Sequence, residues 1–128
     1  MNTLKRLVGS SGTVLDVGED SGGRLLARST LEQSGLMVIE AADGIEAVDA
    51  FRLENPDVIV MDVEMPRRNG YDACEAIRAL PDGGRVPIMM LTGHGDIESV
   101  NRAYEAGATD FLSKPIPWTL LGHRVAYL

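Results

Sequence analysis

Three features of this sequence predict an α/β sandwich, a five-stranded parallel sheet covered by helices on both faces. Five short apolar runs rich in β-branched residues alternate with five stretches whose apolar residues recur at helical spacing. The joints are short and carry the Asp, Asn, Gly and Pro residues that cap helices or make turns. The third and fourth runs, Val58-Ile59-Val60-Met61 and Pro87-Ile88-Met89-Met90-Leu91, are apolar without alternation, as strands buried on both faces must be. Parallel neighbours need a crossover; here each crossover is a helix, and right-handed crossovers pack those helices back onto the sheet.

The first strand is Thr13-Val14-Leu15-Asp16-Val17, broken by Gly18. Asp20 or Ser21 caps a helix running to about Ser34, with Leu25, Leu26 and Leu31 as its apolar side and Gly35 as its stop. Met37-Val38-Ile39-Glu40-Ala41 is the second strand. Asp43 caps the next helix, in which Ala47, Val48 and Phe51 share a face, and Asn55-Pro56 ends it. The third strand ends on Asp62, where Met65-Pro66 prevents continuation. Gly70 then opens a helix with Tyr71, Cys74 and Ile77 that closes at Leu80-Pro81-Asp82-Gly83-Gly84. The fourth strand ends on Thr92. Asp96 caps a helix carrying Ile97, Val100, Ala103 and Tyr104 as far as Ala106-Gly107. Asp110-Phe111-Leu112-Ser113 is a short fifth strand, Lys114-Pro115 follows, and a last helix from near Pro117 stays helical in pattern to Leu128.

At 128 residues the chain makes one domain with a core that needs neither disulfide nor metal. Residues 1–12 read as a flexible lead, because Gly9-Ser10-Ser11-Gly12 is linker-like, and residues 13–128 as the folded domain. The segment Met1 to Val8 lacks the apolar core of a secretory signal. No apolar run approaches the ~20 residues that span a bilayer, so the expected location is the cytoplasm, away from membranes. A net charge of −7 argues against nucleic acid as a direct partner. The single cysteine, Cys74, lies among helix-forming residues and reads as a packed thiol rather than a nucleophile.

For five strands in a chain of this length the usual arrangement is the flavodoxin-like order 2-1-3-4-5, whose switch point lies between strands 1 and 3. Ligands bind beyond the carboxyl ends of the strands at such a point, so Glu19, Asp20 and Asp62 should meet there. A mononucleotide-binding enzyme would share the fold. Gly18, Gly22 and Gly23, however, do not form the glycine-rich phosphate fingerprint that such a site needs.

Four motifs then stand in order at strand exits. They are the acidic cluster after strand 1; Asp62, Met65, Pro66 and Gly70 as Asp-x-x-Met-Pro-x-x-x-Gly; Leu91-Thr92-Gly93-His94; and Ala108-Thr109-Asp110-Phe111-Leu112-Ser113-Lys114-Pro115. From about Thr13 onward the chain resembles the CheY-like receiver domain of two-component response regulators. The ending from Lys114 to Val125 is further similar to receivers fused to cyclic-di-GMP synthase or phosphodiesterase modules (GGDEF or EAL).

The resemblance implies a phosphorelay switch rather than an enzyme, one that at most assists its own phosphorylation and dephosphorylation. Asp62 would accept a phosphoryl group from a histidine kinase or phosphotransfer protein. Mg²⁺ would be held by Asp62, Glu19 and the backbone carbonyl of Glu64, with Asp20 as a further candidate. Thr92 and Lys114 would bind phosphoryl oxygens. Movement of Thr92 would let Phe111 turn inward and reshape the surface of the fourth helix, fifth strand and fifth helix, where an output domain or protein docks. Glu64 and His94 would flank the path of the hydrolytic water and tune the lifetime of the aspartyl phosphate, and the Lys114-Pro115 peptide would be cis. The residue chemistry agrees: a carboxylate attacks phosphorus only when the charge on the donor is neutralised, and Mg²⁺, a lysine and a hydroxyl donor do that.

Two departures stand out. Where this family carries two adjacent acids after strand 1, the sequence has Gly18-Glu19 followed by Asp20, so one carboxylate is missing and weakened Mg²⁺ binding is expected. Asp16 stands mid-strand where an aliphatic residue belongs, and no partner for it is evident. The alternative function is therefore a phosphorylation-independent pseudo-receiver that acts as an interaction module. The presence of Asp62, Thr92 and Lys114 together favours the switch.

Overall fold

The structure, a computed structural model, describes residues 12–128. Of the expected lead, 1–11 lie outside the described residues, and Gly12 already joins the sheet region, its carbonyl accepting from Met37 N at 2.9 Å. The strands are β1 (Thr13–Val17), β2 (Met37–Ala41), β3 (Val58–Asp62), β4 (Ile88–Thr92) and β5 (Asp110–Ser113). The helices are α1 (Ser21–Gln33), α2 (Gly44–Glu54), α3 (Gly70–Arg78), α4 (Ile97–Glu105) and α5 (Trp118–Ala126). The sheet runs β2-β1-β3-β4-β5 with every pair parallel, the flavodoxin-like order read from the sequence.

Strand periodicity divides the core into two layers. Leu15, Val17, Ile59, Met61, Ile88 and Met90 face the side of α2, α3 and α4, where Phe51, Cys74 and Ile77 cover them. Val14, Val58, Val60, Met89 and Leu91 face the other side, under Ala27 and Leu31 of α1 and Leu121 and Val125 of α5. Full burial of such a side chain contributes roughly 1.5–3 kcal/mol, so these two layers dominate the stability of the fold. Cys74 is fully buried, and burial pushes its thiol up to about 11, which makes it the packed residue expected.

The helices begin where the sequence places their caps. Asp20 accepts from Gly22 N and Gly23 N, Asp43 from Ile45 N and Glu46 N, and Asp96 from Ser99 N. Gly70 opens α3 as the sequence reading has it, with Asn69 as the cap, its side-chain oxygen accepting from Asp72 N at 2.9 Å. Three details differ from expectation. Leu25 and Leu26 are 65% and 53% exposed, because the inward stripe of α1 is Ala27 and Leu31, four residues apart. Ile97 and Tyr104 are exposed as well, since α4 leans on the sheet through the small Ala103, its one fully buried residue. Finally, α5 ends at Ala126 instead of continuing to Leu128, with Tyr127 N turning back to the Arg124 carbonyl at 3.1 Å. Among the described residues, no helix is long and apolar enough to cross a membrane.

Candidate functional site

Asp62 is the last residue of β3, and the alternation that buries Val58 and Val60 turns its side chain to the same α1/α5 side. The chain cannot extend β3 further because Pro66 follows, and it doubles back so tightly that Gly70 N bonds to the Val63 carbonyl at 2.8 Å. A Cβ on Gly70 would lie 2.4 Å from the Asp62 carbonyl oxygen, so this position admits only glycine without displacing the backbone of the acceptor loop. The far side of that loop is tied to α2, where Arg67 Nε donates to Asp43 Oδ2 at 2.7 Å.

Asp62, Asp20 and Lys114 line one cleft of about 510 Å³ between the ends of β1 and β3, α1 and the start of α5. Lys114 reaches it from beyond β5, two strands away, and its Nζ lies 3.5 Å from Asp62 Oδ2; the Lys114-Pro115 peptide is cis. Burial raises the pKa of Asp62, the ammonium of Lys114 opposes the rise, and the charges of Glu64 and Asp20 add to it. The lysine therefore favours the ionised form of an otherwise desolvated carboxylate.

Thr92 ends β4, between β3 and β5, and is buried. Its hydroxyl donates to Glu64 Oε1 at 3.0 Å and accepts from His94 N at 3.0 Å. His94 Nε2 stands 3.7 Å from the same Glu64 oxygen. The structure thus brings Glu64, Thr92 and His94 into one group beside Asp62. Phe111 is half-buried and packs edge-on against Tyr104, with ring centroids 6.2 Å apart and planes at 87°.

The acidic residues after β1 separate. Asp20 lines the cleft while capping α1 at 3.3 and 3.1 Å, whereas Glu19 is exposed and does not line it. Arg24, which the sequence reading passed over, holds this corner together: its guanidinium donates to the carbonyls of Gly18 and Glu19 and to Glu40 Oε1. The signal was its place on the inward stripe of α1, three residues before Ala27. Asp16 is 3% exposed, and its Oδ2 is the one buried side-chain oxygen or nitrogen without a hydrogen-bond partner among the described residues. Burial, with the charges of Glu40 and Asp62, pushes its carboxyl up to about 8.

For a hard dication the donors lining this cleft are of the right kind: the carboxylates of Asp62 and Asp20 and an unpartnered oxygen on Asp16. Among the described residues no three acidic, histidine or cysteine side chains converge into a preformed cage. Mg²⁺ asks for less, one or two carboxylates with several waters, and the cleft fits it on those terms.

Against known proteins, the response regulator receiver domain family matches residues 14–126. The probable transcriptional regulator ycf27 of Guillardia theta is 39% identical over 80% of this chain and 39% of its own length. The chain spans less than half the length of the curated relatives it matches. Among solved structures, a putative response regulator from Chloroflexus aurantiacus is 36% identical, with a TM-score of 0.85 over 90% of this chain and 94% of that one. The receiver domain of a sensor histidine kinase from Pseudomonas aeruginosa, solved with a magnesium ion coordinated in its active-site cleft, is 31% identical, with a TM-score of 0.83 over 90% and 94%.

Proposed function

We propose that this chain, which belongs to the response regulator receiver domain family, works as a switch whose phosphoryl acceptor is Asp62. The observation that carries the assignment is the 3.5 Å approach of Lys114 Nζ to Asp62 Oδ2, which sets a fixed cation beside a carboxylate at the exit of a buried strand. An Asp62 oxygen attacks the phosphorus of a phosphohistidine on a histidine kinase or phosphotransfer protein. The new P–O bond replaces the P–N bond, and the imidazole leaves with the electron pair and takes a proton from solvent. Lys114 stabilises the charge on a phosphoryl oxygen throughout. Asp62 with Asp20, in preference to Glu19, and the Glu64 carbonyl would hold Mg²⁺, which would neutralise the remaining charge.

The switch itself lies in Thr92. Its hydroxyl leaves Glu64 to donate to the phosphoryl group, and Phe111 follows inward from its contact with Tyr104, reshaping the surface of α4, β5 and α5. Two charge-assisted hydrogen bonds, from Lys114 and Thr92, contribute about 1.5–3 kcal/mol each, and turning a 1:99 equilibrium into 99:1 takes about 5.5 kcal/mol. The new bonds are therefore sufficient for a switch only if both form. For the output, the matched relatives named as transcriptional regulators favour a transcriptional role over the cyclic-di-GMP modules that the Lys114 to Val125 segment resembles. Nothing in the cleft favours a phosphorylation-independent module, for which a lysine against Asp62 would have no use.

Intact mass after incubation with acetyl phosphate and Mg²⁺ tests the assignment. The wild-type protein should gain one phosphoryl group and Asp62→Asn none; equal labelling of the two would reject Asp62 as the acceptor.

A further inference from the structure

We propose that Asp16 is the second acid of the ion site, its Oδ2 accepting a hydrogen bond from a water in the Mg²⁺ shell. The inference rests on the reading of Asp62 as the phosphoryl acceptor and ion ligand. Four observations carry it. Asp16 is 97% buried by its 3% exposure, yet Oδ2 has no partner among the described residues, a state that a carboxylate inside a sheet does not tolerate without a ligand or water. It lines the same cleft as Asp62 and shares a strand face with Gly18, since side chains two apart on β1 point the same way. In register, Asp16 stands opposite Val60, and the next residue of β3 on that face is Asp62.

Gly18 supplies the opening between them. A Cβ built there would sit 2.9 Å from Asp62 Oδ2, so any side chain at residue 18 would fill the space that joins Asp16 to the acceptor. Its φ is not positive, unlike that of Gly35 or Gly107, so backbone conformation does not call for glycine and the space does. The cleft of about 510 Å³ has room for several waters, each taking about 30 Å³.

The cations nearby are already engaged. Arg24 is held by Gly18, Glu19 and Glu40, and Arg28 by Glu32 and Glu40. Neither donates to Asp16, and their charges act on it more weakly than the opposing charges of Glu40 and Asp62. A hydrated dication provides both the missing positive charge and a water proton for Oδ2. Asp16 is one strand pleat deeper than residue 18, a distance suited to a water between carboxylate and ion, and Mg²⁺ retains such waters readily.

Calorimetric titration of the whole chain with MgCl₂ tests this, on wild type, Asp16→Val, Asp16→Asn and Asp62→Asn, each checked for folding by circular dichroism. Removing an outer-shell partner commonly weakens a metal site 10–100-fold, so both Asp16 variants should bind Mg²⁺ at least about tenfold more weakly. Asp16→Asn keeps the shape of the side chain and guards against a packing artefact in Asp16→Val. A merely structural Asp16, satisfied by an isolated water, would leave the dissociation constant unchanged in both, and that result overturns the proposal. If Asp62→Asn weakens binding while the Asp16 variants do not, only this inference falls. If Asp62→Asn also binds as wild type does, the ion site is misplaced and the reading of Asp62 falls with it.

Discussion

The Thr92 hydroxyl, the group proposed to move when the switch turns, is held at 3.0 Å by the carboxylate of Glu64, 28 residues earlier in the chain. The same hydroxyl accepts from the His94 backbone N–H, and of the two acceptors within reach of its one proton Glu64 is the nearer, at 3.0 Å against 3.5 Å for the His94 carbonyl. Before Thr92 can donate to a phosphoryl oxygen this bond has to break, and Glu64 thereby opposes the switched arrangement.

Glu64→Ala should therefore slow loss of the aspartyl phosphate several-fold, because Thr92 is free to hold the phosphoryl group and a charged side chain beside the water path is gone. His94→Ala should have the smaller effect. Its imidazole is 71% exposed and stands 3.7 Å from Glu64, while the contact to Thr92 runs through a backbone N–H that alanine retains. Dephosphorylation rates followed by intact mass check both; rates equal to wild type in the two variants would show that neither side chain tunes the lifetime.

Lys114 opposes the upward pull of burial on the Asp62 carboxyl. Without the ammonium the carboxylate is harder to ionise, so Lys114→Met should move the rising limb of the labelling rate to higher pH as well as lower its plateau. Labelling by acetyl phosphate at fixed Mg²⁺ across pH 4–8 measures this. A profile that drops in height without moving would mean that the lysine serves the phosphoryl group alone.

Gly70→Ala places a Cβ 2.4 Å from the Asp62 carbonyl oxygen and 2.9 Å from Val63 Cα, both backbone atoms that cannot swing away. Overpacking of this kind costs about 1–3 kcal/mol, and here it also displaces the loop that follows the acceptor. Urea unfolding should show that loss, and labelling of Asp62 should fall with it even under conditions where the variant is fully folded.

The order of the elements was legible because every helix start but that of α5 carries a side chain that does one local job. Asp20, Asp43 and Asp96 cap as their positions before apolar periods indicate. Asp62 was legible for a related reason: the switch point lies between two strands, and a carboxylate there is conspicuous after an apolar run, whereas Thr92 and Lys114 were read through the motifs that resemble the receiver family. Phase within a helix was harder. Leu25 and Leu26 stand two residues and one residue before Ala27, which on a helix is the difference between solvent and core. The same holds for Glu19 against Asp20, where the geometry of the α1 cap, and not spacing, decides which acid faces the cleft. A contact between distant elements, such as that of Thr92 with Glu64, leaves no periodic trace at all.

Asp16 should lower the stability of the protein, and by an amount that grows with pH. Its carboxyl is raised by burial and by Glu40 and Asp62 to about 8, with Arg24 and Arg28 opposing, against 3.8 in an unfolded chain. Between those values the folded form holds a proton that the unfolded form has released, so the unfolding free energy falls as pH rises, by at most about 1.4 kcal/mol per pH unit for one group. The penalty is absent below pH 3.8 and fully developed above about 8. Asp16→Val removes both the titration and the unpartnered Oδ2, and should raise the unfolding free energy by at least about 1 kcal/mol at neutral pH. Urea unfolding of wild type and Asp16→Val in EDTA at pH 5 and pH 8 is the measurement. The advantage of the valine variant should be larger at pH 8. An advantage that is constant with pH would mean that Asp16 does not titrate in this window, and a destabilised variant would mean that Oδ2 has a partner within the fold. A stabilising substitution that at the same time weakens Mg²⁺ would identify Asp16 as a residue retained for its work at the site and against the interest of the core.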